Sequence, residues 1–225
     1  MRNFTLFLVI LSSIFLLGHT DHYKNYTRME MEIFKDGEKI GESIFTFKKE
    51  NDKFIVKNTT NLKVKLLGVT VFSLNSQGIE EYIGDQLISF KSETFQNDKK
   101  KYVELTFDEK KGKFLVKGSS YNGEAEKENI IGNWWNHRVL QTETQISPLS
   151  GSVKKQNIEF LGKEKIQLYE KEYNVEHFRL FSTEPNLPED KKLNFEIWYD
   201  KKQALIVKVS YNRLGIWEYR MKTIQ

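Results

Sequence analysis

The sequence contains no cysteine among its 225 residues. That absence removes disulfides, thiolate metal sites and thiol nucleophiles together, and with them lipid attachment to an N-terminal cysteine. Histidine is nearly as scarce, with four residues. His19 and His22 sit at the end of an N-terminal apolar segment, where cleavage or fraying takes them out of any site. His137 and His177 stand in different halves, with no His-Glu-x-x-His or comparable spacing. No metal and no cofactor is therefore expected. Dialysis against a chelator should leave the melting temperature unchanged to within about a degree, and a large fall would reveal a carboxylate cluster.

Catalytic motifs are missing in the same way. Gly41-Glu42-Ser43 is the nearest approach to a nucleophile elbow. It lacks the second glycine and lies in a hairpin pattern instead of a strand-to-helix turn. Gly118-Ser119-Ser120 lacks the lysine and the following helix of a phosphate loop. Paired carboxylates stay open, because 31 acidic residues allow many pairs and their separation is not readable from sequence. No catalytic residue is assigned. A surplus of one charge is lacking as well. With 35 basic and 31 acidic residues spread along the chain, the formal charge is +4, and no nucleic-acid partner is expected. The one basic run, Lys99 to Lys101, reads as a solvated turn.

Long apolar runs are limited to one. Arg2 and Asn3 precede Phe4 to Leu17, apolar except for Thr5, Ser12 and Ser13. This is the pattern of a secretory signal peptide over residues 1–20, and it is shorter than the roughly 20 residues that span a bilayer. The mature chain, residues 21–225, is then expected to be a soluble single β domain, periplasmic or secreted. No later stretch is long and apolar enough for a transmembrane segment.

What is present is strand periodicity almost throughout. Met29, Met31 and Ile33 alternate with charged residues before Asp36-Gly37, a tight-hairpin dipeptide. Strands are predicted over Lys39 to Lys49, from Phe54, and over Leu62 to Leu66, Val69 to Leu74 and Ile79 to Ile83. Leu87 to Phe95 should pair with Tyr102 to Phe107 across Asn97-Asp98. Phe114 to Lys117 follows, and Asn122-Gly123 reads as another hairpin. A second β region covers Val153 to Leu161, Lys165 to Tyr169 and Tyr173 to Phe181. After the loop marked by Pro185 and Pro188, Phe195 to Tyr199, Ala204 to Ser210 and Ile216 to Met221 complete a meander. The exception is 129–148, where His137 to Ile146 suggests a short helix. The fold class is all-β: an antiparallel curved sheet, half-barrel or barrel of roughly thirteen short strands.

Asp36-Gly37-x-x-Ile40-Gly41, then Glu80-x-Tyr82-x-Gly84-x-x-Leu87, then Trp135-Asn136, Ser150-Gly151 and Ile197-Trp198-Tyr199-Asp200 run in one order along the chain. In this order it resembles a family of exported bacterial proteins defined by a domain of unknown function. Such families look similar to the periplasmic lipoprotein-carrier (Lol-type) fold, an unclosed β-barrel that cups an acyl chain. The resemblance implies export and an open barrel; the little helix predicted here departs from carriers that use helix as a lid.

Tryptophan gives the best lead to a site. Trp198 and Trp217 lie in alternating strands and are expected in the core. Trp134 and Trp135 are adjacent, so in an extended segment they face opposite sides, and one should reach a rim. Trp134 or Trp135 at the mouth of a concave apolar surface, with His137 and Arg138 at its polar edge, would suit an apolar body with an anionic head. The expected function is non-catalytic binding or carriage of a lipid-like or amphipathic small molecule. The alternatives are an envelope enzyme using His137, Arg138 and facing Glu residues, or an assembly partner bound through a sheet edge.

Overall fold

The computed structural model describes residues 21–189 and 191–225; the expected signal peptide lies outside them. A short 3-10 turn (Asp21–Asn25) leads into β1 (Arg28–Lys35), β2 (Glu38–Glu50), β3 (Lys53–Leu66), β4 (Val69–Ile83), β5 (Gln86–Gln96), β6 (Lys99–Asp108), β7 (Lys113–Gly118) and β8 (Asn122–Glu126). An irregular stretch then holds β9 (Ile130–Ile131), a second 3-10 turn (His137–Leu140) and β10 (Thr144–Ile146). The chain ends with β11 (Val153–Leu168), β12 (Lys171–Ser182), β13 (Asn194–Asp200), β14 (Leu205–Asn212) and β15 (Ile216–Ile224).

These strands form one curved, unclosed sheet in the order β8-β7-β6-β5-β4-β3-β2-β1-β15-β14-β13-β12-β11-β10-β9. Every pairing is antiparallel except β9 with β10. The first strand joins the last at the centre of the sheet, Met31 opposite Met221 and Ile33 opposite Tyr219. The all-β expectation holds, with fifteen strands among the described residues in place of about thirteen, and 4% helix.

Several short predicted strands are parts of longer ones. The segments at 54 and 62–66 are one strand, β3, and those at 69–74 and 79–83 are one strand, β4. Polar residues in their middles resemble turns but are paired across the sheet. Ser43, Thr60, Ser76 and Thr94 stand opposite one another on β2, β3, β4 and β5. Ser43 and Thr60 hydroxyls lie 2.7 Å apart, and Ser76 and Thr94 hydroxyls 2.6 Å apart. A buried hydroxyl with a partner no longer breaks a strand. Val153 to Leu161 and Lys165 to Tyr169 likewise merge into β11, with a bulge between Phe160 and Gly162. Asn122-Gly123 begins β8; the turn lies just before it. The helix expected over 137–146 is a single 3-10 turn followed by β10, since Gln145 and Ile146 pair with β9 and β11.

The inner face carries the alternating apolar residues, Met29 and Met31 of β1, Phe45 and Phe47 of β2, Phe54 and Val56 of β3, and Val103 and Leu105 of β6, all buried. His22, expected to be removed or frayed, is packed: its Nε2 lies 3.1 Å from the Ala204 carbonyl, and the next residue, Tyr23, is wholly buried.

Candidate functional site

The irregular segment between β8 and β11 fills one part of the curved sheet. Its conformation is set by side chain-to-backbone bonds. Asn136 caps the 3-10 turn by accepting from the Arg138 N–H at 3.1 Å. Gln156 donates to the carbonyls of Val139 and Thr142 and accepts from Gln145. Gly132 is required where it stands, because a Cβ there would lie 1.7 Å from the Gln145 amide oxygen.

Trp135 drives into the densest part of the core. It is fully buried, with the rings of Tyr23, Phe47, Tyr82 and Phe54 at 5.0 to 6.2 Å, all edge-on. Its indole N–H donates at 2.9 Å to Glu80 Oε1, which also accepts from Asn133 Nδ2 at 2.6 Å. Tyr82 donates to the other oxygen at 2.5 Å. Burial pushes the Glu80 carboxyl above its ordinary range, and the three donors only offset this in part. Three of the residues that carry the family resemblance, Glu80, Tyr82 and Trp135, are thus one buried cluster that locks the segment to β4.

A cavity of about 1720 Å³ opens elsewhere on the inner face. Leu62 and Val64 of β3, Phe72 and Leu74 of β4, Phe195 of β13, Tyr211 of β14 and Trp217 and Tyr219 of β15 give it an apolar wall. The rings touch in sequence: Trp134 to Phe195 at 5.0 Å, Phe195 to Tyr211 at 5.4 Å, Tyr211 to Trp217 at 5.8 Å and Trp217 to Phe72 at 6.0 Å. Burial raises the Tyr211 phenol far above its usual range and that of Tyr219 to about 12, so both stay neutral near pH 7.

The charge around this wall is one-sided. Ten basic and three acidic residues line the cavity, a surplus of seven. The whole chain carries only +4, so everything outside the lining is net acidic. Charges that look evenly spread along the sequence are segregated by the fold. Lys35 also stands over the Trp217 ring, 5.9 Å from its centroid.

None of the four residues expected at a site lines this cavity. Trp135 is in the core and not at a rim. His137 is buried at the Tyr23 end of the molecule, stacked on Tyr199 at 5.6 Å with its Nδ1 3.2 Å from the Tyr23 hydroxyl. Arg138 donates to the Asp85 carbonyl at 3.3 Å, beside the Glu80 cluster. Trp134 comes nearest: half-buried, it backs the cavity wall through Phe195 and Tyr219. The two tryptophans do face different surroundings, but the difference is between core and cavity wall. Sequence reasoning placed Trp217 in the core; it is half-buried and lines the cavity, while Trp198 is buried as expected. The signal for the cavity was present in the absence of acidic residues from 53 to 79, which form β3 and most of β4.

The family model for a domain of unknown function, DUF6134, matches residues 31–222. No curated protein matches the chain. A crystal structure described as a beta-barrel-like protein of domain of unknown function DUF1849, from Brucella abortus, is similar in fold. Its TM-score is 0.60 at 8% identity, over 88% of this chain and 96% of that one. At that identity the likeness extends to the fold alone.

Proposed function

The chain belongs to the DUF6134 family, and on that footing we propose that it is a non-catalytic binding or carrier protein for an anionic, lipid-like amphiphile. The single observation that carries this reading is the cavity, in which an aromatic and aliphatic wall is bordered by a surplus of seven positive charges. Its 1720 Å³ exceeds the roughly 300–1,000 Å³ of sites for drug-sized ligands, so an extended acyl chain is accommodated. The apolar body would lie along Phe72, Leu74, Phe195 and Trp217. A carboxylate or phosphate head would meet lysines at the border, whose ammonium groups bind such anions as point charges. The N-terminal charged-then-apolar run supports an exported protein acting in the periplasm or outside the cell.

Native mass spectrometry of protein recovered from its own envelope fraction tests the reading. An adduct of lipid mass that leaves on delipidation is the expected result. A stoichiometric protein in its place would overturn it in favour of a partner at the free sheet edges, β8 or β9. Truncating Phe72 or Trp217 to alanine should weaken binding of a fluorescent fatty-acid probe by about tenfold or more, the loss expected for one buried aromatic contact. Unchanged probe affinity in both variants would remove this cavity as the site.

A further inference from the structure

Among the described residues, seven other than glycine have a positive φ angle: Asp36, Asn51, Leu67, Asn97, Tyr169, Ala204 and Leu214. Asp and Asn tolerate this left-handed conformation; a leucine rarely adopts it. Tyr169 is held by a hydrogen bond to Glu32, and the Ala204 carbonyl accepts from Tyr23. Leu67 and Leu214 have no such engagement. They are 97% and 93% exposed at the tips of the β3–β4 and β14–β15 hairpins. Each is followed by a glycine of positive φ, Gly68 and Gly215, so each turn would accept Asn-Gly, the common hairpin choice. Leucine stands there at a conformational disadvantage that no packing offsets.

The two tips belong to one surface. Phe72 at the foot of the first touches Trp217 at the foot of the second, and both hairpins border the cavity. The β3–β4 hairpin outruns its neighbours: β2 pairs with β3 only as far as Leu62, and β5 with β4 only as far as Leu74. The residues between form a projecting two-stranded ribbon. Leu66, Val69 and Val71 on this ribbon and Ile216 on the other hairpin are exposed as well, at 51 to 66%. Lys63, Lys65 and Arg213 flank them, and no ion pair among the described residues engages these three. Asp36, the acidic group next to the second tip, is bonded to Lys35 and to the Ile216 N–H.

We propose that the two hairpin tips form a docking surface for an anionic lipid bilayer. Leu67 and Leu214 enter the headgroup–acyl boundary, and Lys63, Lys65 and Arg213 meet lipid phosphates. Exposed aliphatic side chains ringed by cations are the combination that binds such a surface, the apolar part by burial and the basic part by attraction to the negative leaflet. The mouth of the cavity then opens against the membrane. This goes beyond ligand binding, since docking depends on the tips and not on what fills the cavity.

Sedimentation with phosphatidylglycerol–phosphatidylcholine vesicles tests it, comparing the wild-type chain with the double variant Leu67→Asn, Leu214→Asn. Asparagine suits the left-handed turn, so this variant should melt at the wild-type temperature or above. It should bind the vesicles at least about tenfold more weakly, as two buried leucines are lost. Wild-type binding should fall with added salt and be weaker on phosphatidylcholine alone. Leu67 does not line the cavity, so the single variant Leu67→Asn should bind the soluble fatty-acid probe as the wild-type chain does while losing vesicle affinity, which separates failure of docking from failure of the cavity. A wild-type chain that ignores anionic vesicles, or a double variant that binds them equally well, overturns the proposal. So does a wild-type dimer that the double variant breaks, because the tips would then join two copies of the chain.

Discussion

Replacing Trp135 with alanine should destabilise the fold by about 3–5 kcal/mol, the range for a large aromatic removed from a packed core. Domains of this size are stable by only about 5–15 kcal/mol, so the variant should unfold near ambient temperature or at modest denaturant. Two separate losses add here. Four aromatic rings around Trp135 lose their shared neighbour, and Glu80, buried and acceptor-only when ionised, loses one of its three donors. Trp134→Ala should behave differently. That ring is half-buried and backs the cavity wall through Phe195, so the melting temperature should fall less and probe binding more. Urea titration of both variants beside probe binding reads the contrast. Equal destabilisation with unchanged binding in both would place Trp134 in the core and not behind a ligand wall.

The fold was legible because its strands alternate. Met29, Met31 and Ile33 read as one face of a strand, and that face is the buried one. What misled was polarity inside the sheet. Asn58, Thr59 and Thr60 interrupt the apolar alternation between Phe54 and Leu62. In the structure Asn58 donates to Ser43 at 3.0 Å and Thr60 meets Ser43 at 2.7 Å, so the strand runs through them. A partner on a neighbouring strand is a tertiary fact, and single-strand periodicity carries no trace of it. The 3-10 turn at His137 was misread for the same reason: the Gln145–Gln156 pair that makes the following residues a strand joins two segments that look unrelated in sequence.

The site was less legible than the fold. Its wall draws on residues 72, 195, 211, 217 and 219, which meet only because β1 pairs with β15 and the β3–β4 ribbon projects far enough for Phe72 to touch Trp217. Adjacent tryptophans drew attention to 134 and 135, and the chemistry of Trp135 proved to be that of a core anchor. The more informative pattern was the acid-free stretch from 53 to 79, with Lys63 and Lys65 alternating with Leu62, Val64 and Leu66. Alternation of lysine with aliphatic residues reads as an ordinary half-exposed strand, and only the three-dimensional arrangement turns it into one border of a basic cavity.

Glu80 should make the stability of this protein fall as pH rises. Its carboxyl is wholly enclosed, and burial raises its pKa above the ordinary value of 4.5. Below that value the group is protonated in both the folded and unfolded chains and contributes no pH dependence. As pH rises past it, the unfolded chain releases the proton while the folded chain retains it, so folded stability drops, by at most about 1.4 kcal/mol per pH unit. The drop ends once pH passes the raised folded value. Glu80→Gln fixes the neutral form and keeps an oxygen to accept from Asn133 and Trp135. Relative to wild type it should therefore gain stability as pH rises above the ordinary carboxyl value, until the raised folded value is passed; other titrating groups cancel when the two proteins are compared. Glu80→Leu leaves the Asn133, Trp135 and Tyr82 donors without an acceptor, about 1–3 kcal/mol each, and should be the most destabilised of the set at any pH. Urea unfolding of wild type and the Gln variant at four pH values decides the matter. A difference between them that does not change with pH would mean that Glu80 is already ionised in the fold, held by its three donors against the burial that opposes it.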